Sequence, residues 1–547
     1  MQLKYSKEVL CMVVICCDFF SCRATHAGDA SLDERLDQAL KVHGFPADLN
    51  TLLDRKLGRK IETDPERLTP MAALGRDLFF DKVLSLANDN SCAGCHSPKD
   101  GFGDTQSIAI GVSNNNLVGP NRKGPRNQRR TPMALNNAFY PKLMWNGRFA
   151  AISGDPFDNS KGFEFPPPEG EGDEQNRRFP AGDKHITHLL SAQAQIPSTE
   201  LPEMAGFRLE PESEPSDGIP RTFREPRFDG REFEIVPIAK QVRELKGMRE
   251  HWGNPVSETE PEVLPHGLGG FFNEPIRGVV LLRLNAIDEY RKKFREAFPE
   301  EYADRKFITS EMIGAAIAEF EFALTFVNAP IDEFARGNRS AMTEAQKRGA
   351  VLFFGKARCV ECHSVAGNSN GMFSDFENHV IAIPQIAPGE QEFGGMVGNV
   401  VFAGPGSNED FGLEDITRNS SDRYKFRTSP LRNIKLQPTF GHNGAWTGAK
   451  GLEGIIRHHI APYSARIYDP KAAGVADDLQ QNTGPIEPVL GRLSPRLAVP
   501  IELSDMELGD LVTFVRDGLH DPQATPSYLF KHKPDKVPSG RKMQTFE

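Results

Sequence analysis

A mainly α-helical fold of two related halves follows from three features of the 547-residue sequence. Cys92-Ala93-Gly94-Cys95-His96 is matched by Cys359-Val360-Glu361-Cys362-His363, with the same spacing of two thiols and an imidazole. Ahead of the first copy stands Gly75-Arg76-Asp77-Leu78-Phe79-Phe80, and ahead of the second Gly349-Ala350-Val351-Leu352-Phe353-Phe354, so the duplication extends beyond the cysteines. Between the halves Ile313, Ile317, Phe320, Leu324 and Val327 recur at steps of four, three, four and three, the stripe of an amphipathic helix.

The paired motif has a specific chemistry. Cys-x-x-Cys-His is the attachment signature of c-type haem: each thiol adds to a vinyl group of the porphyrin, and the adjoining histidine becomes the proximal ligand of the iron. One copy alone would also suit a redox dithiol or half of a zinc site. Two copies, with no cysteine left outside residues 1–27 to complete a tetrahedral zinc shell, select haem. The paired phenylalanines suit a short helix packed against a haem edge. The expected fold is mainly α, two cytochrome c-type haem domains with long loop insertions.

Lys4 and Lys7, the mostly apolar residues 9–22 and the small residues up to Ala27 read as a signal peptide over residues 1–27, so a periplasmic location is expected. Asp18 interrupts the apolar run, and Phe19-Phe20-Ser21-Cys22 leaves a lipoprotein anchor as the alternative. Cys11, Cys16, Cys17 and Cys22 fall in this leader and the other four in the haem motifs, which leaves none for disulfides. No later apolar run is long enough to span a bilayer. The balance of 65 Lys+Arg against 75 Asp+Glu, a net charge of -10, argues against nucleic acid or an anionic membrane as partner and admits a basic redox protein.

In chain order, residues 28–60 are polar and read as helical. Arg130-Thr131-Pro132-Met133-Ala134-Leu135-Asn136 trails the first haem motif as Arg427-Thr428-Ser429-Pro430-Leu431-Arg432-Asn433 trails the second. Residues 153–182 and 207–235 read as loops or insertions, and residues 365–425 are expected to lie over the second haem. Ser504-Asp505-Met506-Glu507 is a capping box that opens a helix with Leu508, Leu511, Val512 and Val515 inward and Gly518 placed to stop it.

The chain resembles the bacterial di-haem cytochrome c peroxidase and MauG-like family over most of residues 70–520. Beyond the haem motifs, Trp145-Asn146-Gly147-Arg148 is similar to the family's Trp-Asp-Gly-Arg segment, and Gln193, Pro197, Glu203 and Met204 to its Gln, Pro, Glu-Met stretch. Residues 426–433 followed by His442-Asn443-Gly444 resemble its second-domain signature. After the leader over 1–27, the resemblance implies a peroxidatic haem domain over 28–335, an electron-transfer haem domain over 336–525 and a tail over 526–547. It implies reduction of hydrogen peroxide with electrons from a small cytochrome c or cupredoxin, and a calcium ion between the domains; a homodimer stays open. A MauG-like oxidase or oxygenase of an organic or protein substrate and a non-catalytic di-haem electron carrier are the alternatives.

Cleaving a peroxide O–O bond at haem needs an open sixth position, a group that moves a proton between the oxygens, and a source of electrons. Where the family often has a distal histidine, sixteen residues beyond His96, this chain has Val112, so the position is expected to be open; His185 and His188 are the alternative ligands. Glu203 and Gln193 match the family's distal pair, and burial would raise the carboxyl pKa toward the working range. Trp145 matches its electron relay. The bland readings are a surface carboxylate and a core tryptophan. For the second haem the family's sixth-ligand place falls on His459, which gives bis-histidine ligation with His363; His458 is the rival, and Met372 and Met396 weaker ones. The family's asparagine ligand to calcium falls on Arg130, while the carbonyls of Gln437 and Thr439 stay available.

Overall fold

The computed structural model describes residues 30–165, 179, 181–205, 222–225, 234–237, 273–393, 396–398 and 402–547. The signal peptide expected over residues 1–27 lies outside these residues. Of the insertion at 207–235, the described parts are the strands Thr222–Glu225 and Glu234–Pro237, an antiparallel pair. The rest of the described chain is mainly helical with short strands.

The duplicated Gly-x-x-Leu-Phe-Phe run has one job in both halves. Thr69 caps the Pro70–Phe80 helix, its hydroxyl accepting from Ala72 N, with a proline in the first turn. This helix crosses the Ser310–Ala323 helix at Gly75, where an added Cβ would lie 1.8 Å from Ala316 O. In the second half a Thr343–Gln346 capping box starts the Glu344–Phe354 helix. That helix meets Asp505–Thr513 at Gly349, where an added Cβ would lie 2.0 Å from Asp510 O. Only glycine lets two helix backbones touch in this way. Phe79 and Phe80, and Phe353 and Phe354, follow one turn later and enter separate cores.

The expected box at Ser504 is present, with Ser504 N donating to Glu507 Oε2 at 2.8 Å and Glu507 N to Ser504 Oγ at 3.2 Å. The Ser310–Ala323 helix is buried nearly all round, because Pro70–Phe80 lies on one side of it and Leu189–Gln193 on the other. Leu324 is its C-cap and Val327 lies beyond it, so the apolar spacing ran past the helix end.

The second repeated element converges on the linker between the halves. Asn136 and Asn433, with φ of 64° and 60°, each lead into a short 3-10 turn, Asn137–Phe139 and Ile434–Leu436. Their side chains donate to the same acceptor, Phe326 O, at 3.0 and 2.9 Å. Asparagine tolerates this left-handed conformation better than most residues.

The two ends of the chain cross over. Leu36 and Leu40 of the Leu32–Val42 helix join Phe353, Phe354 and Phe514 in the core of the second half, and Asp33 pairs with Lys347 at 2.7 Å. Leu529 and Val537 join Leu78, Phe79 and Phe320 in the core of the first, and Thr545–Phe546 pairs in parallel with Leu117–Val118. The two terminal segments therefore pack on opposite halves. A third core, with Phe139, Phe149, Phe322, Met372 and Phe376, draws on both halves.

Candidate functional site

Cys92–Cys95 forms a single helical turn, and His96 follows it with Nδ1 2.9 Å from Phe102 O. His363 Nδ1 lies 2.9 Å from Phe373 O in the same way. A ring that donates its Nδ1 hydrogen to a carbonyl keeps Nε2 bare, the arrangement of a histidine set to bind metal. Burial lowers both imidazoles to about 4, so both are neutral. Burial also pushes the Cys95 thiol up to about 11 and Cys359 to about 12. All four cysteines are free. Two half-buried cysteines and one oriented imidazole at each motif fit a covalently attached haem.

His459 stands opposite His363, with ring centres 6.3 Å apart. Its Nδ1 is 2.7 Å from Ile455 O, one helical turn back, which leaves Nε2 free. Two imidazoles that share one metal through bonds of about 2 Å need a separation of this order. His458 is used elsewhere, its Nε2 lying 2.7 Å from Ile381 O. Met372 is enclosed in the third core, and the side chain of Met396 lies outside the described residues.

Around the first motif, Val112 is buried and its N–H donates to Pro202 O at 3.2 Å. Asn90 Nδ2 donates to Glu203 O at 2.8 Å and lies 3.6 Å from Cys95 Sγ; Leu86 N donates to Met204 O at 2.9 Å. These contacts hold the Glu203 segment against the haem-attachment turn. Burial pushes the Glu203 carboxyl up to about 7; Glu200 adds to the rise and Arg148 opposes it. Arg148 is itself 3.2 Å from Glu200. The rival histidines are placed elsewhere. His188 Nε2 lies 3.0 Å from Ala138 O and its Nδ1 accepts from Leu190 N at 3.0 Å, while His185 is exposed.

Gln193 ends the Leu189–Gln193 helix and is half-buried. Gln195, 3% exposed, lines a cavity with Cys92, Pro197, Met204, Arg277 and Ile313. Sequence reasoning passed over Gln195, and also Glu321. Glu321 is buried, its Oε2 has no hydrogen-bond partner among the described residues, and burial pushes it up to about 8. Its charge bears on Cys92. An acid between Phe320 and Phe322 was the available signal.

Trp145 lies at the contact between the halves, its indole donating to Arg130 O at 2.7 Å and facing the Arg130 guanidinium at 4.8 Å. Arg130 donates from Nε to Gly441 O at 2.7 Å and from Nη1 to Gln437 Oε1 at 2.8 Å. Gln437 and Thr439, expected to offer carbonyls to calcium, are buried there. The residues present do not fit a divalent ion, because a guanidinium already binds the 437–441 segment.

Mainly helical, with two haem-attachment motifs whose histidines are both oriented for a metal bond, the chain falls in the class of two-centre c-type haem proteins. Residues 69–219 and 257–340 match the family model CCP_MauG, described as di-haem cytochrome c peroxidase. The methylamine utilization protein MauG of Methylorubrum extorquens is 24% identical over 461 residues, 84% of this chain and 80% of its own. Cytochrome-c peroxidase IdrP1 of Pseudomonas sp. (strain SCT) is 28% identical over 396 residues, 69% of this chain and 68% of its own. The diheme peroxidase BthA from Burkholderia thailandensis aligns with a TM-score of 0.48 at 16% identity, over 88% of this chain and 93% of its own. The chain is thus similar to the di-haem cytochrome c peroxidase and MauG-like family, and that similarity supports two c-type haems and oxidoreductase chemistry. No helix among the described residues is long and apolar enough to cross a membrane.

Proposed function

We propose that this protein is an exported, periplasmic di-haem c-type peroxidase that reduces hydrogen peroxide to water at the haem held by Cys92, Cys95 and His96. The electrons come from a small cytochrome c or cupredoxin. The observation that carries this reading is the inequality of the two motifs: His363 faces a second imidazole, His459, at 6.3 Å, whereas Val112 takes the family's distal place and His188 is bonded elsewhere.

Haem bound at this motif with its sixth position open would supply the site for peroxide and the electrons for O–O cleavage. The chain supplies the rest. Glu203, with a carboxyl near 7, takes the proton from the inner peroxide oxygen and returns it to the outer one, so that water leaves. Gln193, with Gln195 beside it, orients the peroxide through amide hydrogen bonds. Trp145, packed between the halves, relays electrons. His363 and His459 would hold the second haem, and a donor would approach it past Cys362, where Arg496 lies 3.3 Å from Sγ and is 44% exposed.

The test is steady peroxide consumption by the mature protein with a reduced small cytochrome c or cupredoxin. Turnover is expected, and Glu203→Gln is expected to slow it by roughly 10²–10⁴ while both haems stay attached. Oxidation of an organic or protein substrate without donor-linked turnover would favour the oxidase reading. No reaction with peroxide at all would leave an electron carrier.

A further inference from the structure

We infer that the guanidinium of Arg130 is the resident cation of the contact between the two halves, standing where the family resemblance implies calcium, and that two quasi-equivalent arginines close this contact in place of a metal ion. Arg130 and Arg427 head the same repeated element, and Trp145-Asn146-Gly147 and His442-Asn443-Gly444 are matching turns of opposite halves. Each arginine reaches across with the same atoms. Arg130 N donates to His442 O at 2.9 Å and Arg130 Nε to Gly441 O at 2.7 Å. Arg427 N donates to Trp145 O at 2.7 Å and Arg427 Nε to Met144 O at 2.8 Å.

Arg130 goes one step further than Arg427. Its Nη1 takes Gln437 Oε1 at 2.8 Å, and Gln437 Nε2 in turn donates to Asp100 O at 2.5 Å. Calcium needs six to eight oxygen ligands, usually with carboxylates among them. Here Gly441 O and Gln437 Oε1 already accept from a buried cation. The acid whose charge bears on Arg130 is Asp104. Its Oδ1 accepts from Thr105 N at 2.8 Å and Gln106 N at 3.2 Å, and its Oδ2 from Thr131 N at 2.8 Å. A divalent ion among these oxygens would face a buried guanidinium of like charge. Arginine keeps its proton in proteins and offers donors in a fixed fork, so it holds both turns and keeps a permanent positive charge over the Trp145 ring.

The mature holoprotein, purified in a calcium-containing buffer and desalted, is assayed for iron and calcium by plasma mass spectrometry and melted in millimolar calcium chloride or EGTA. Iron without stoichiometric calcium, and one melting midpoint in both buffers, is expected. One calcium per chain, or a lower midpoint in EGTA, overturns the assignment. Arg130→Asn is expected to lower the midpoint by roughly 5 °C, and a midpoint equal to the parent's overturns it as well. If that chain does not accumulate with haem, Arg130→Lys, which keeps the charge without the fork, serves instead: a lower midpoint supports the clasp and an unchanged one sinks it.

Discussion

Gln544, close to the C-terminus, donates its side-chain amide to Asn90 Oδ1 at 2.8 Å and accepts from Ser91 Oγ at 2.7 Å. Asn90 is the residue that holds Glu203 O and approaches Cys95 Sγ, and Arg122 donates to the same Oδ1 at 2.9 Å. One asparagine thus joins the end of the chain to a haem-attachment thiol and to the backbone of the proposed proton carrier. Gln544→Ala is expected to cost about 1–3 kcal/mol and to slow the peroxide reaction with both haems still bound. Stopped-flow mixing with peroxide and a melting curve check it; parental values in both would disconnect the tail from the site.

The repeats were legible because attachment chemistry demands Cys-x-x-Cys-His and because Gly75 and Gly349 stand in matching runs. Their purpose was not, since the helices they touch, Ser310–Ala323 and Asp505–Thr513, share no motif. Gln544 and Asn90 were invisible for a related reason: a single buried amide has no periodicity, and its partners lie far off in sequence. The crossed ends were equally hidden, because Leu36 and Leu40 announce an amphipathic helix without saying which core it covers. The place of His459 across from His363 was legible from its position after the His442 turn, and Arg130 stood out where the family has asparagine.

His459→Ala removes the imidazole that faces His363. In the oxidised protein the EPR spectrum is expected to lose its bis-imidazole low-spin signal and gain a second high-spin iron, with haem content unchanged. A low-spin signal that persists would transfer the role to His458, against its bond to Ile381 O.

The pH dependence of the peroxide reaction follows from Glu203. A carboxyl that accepts the peroxide proton must be ionised, and burial with Glu200 nearby lifts this one to about 7. The rate should therefore climb with pH and level off above about 7. Arg148 holds the carboxyl down, so Arg148→Ala should move the climb to higher pH, and Glu203→Gln should abolish it. A climb left in place by both variants would mean that another group titrates.

Arg432 and Asp332 form a two-pronged ion pair at 2.7 and 2.8 Å, each side chain 1% exposed. Arg432 Nε also donates to Gly371 O at 2.7 Å, and Asp332 Oδ2 accepts from Ala329 N at 2.9 Å. The pair ties the start of the Pro330–Ala335 helix to the repeated element behind the second motif. Asp332→Ala would leave a guanidinium buried without its counter-charge, a loss of about 3–5 kcal/mol. Replacing both partners, as in Asp332→Leu with Arg432→Met, removes both charges together and should cost much less. Urea unfolding followed by far-ultraviolet circular dichroism separates these outcomes. If the single variant proves no less stable than the double, charge compensation is not what this pair contributes, and the repeated element is held by its asparagine and backbone contacts alone.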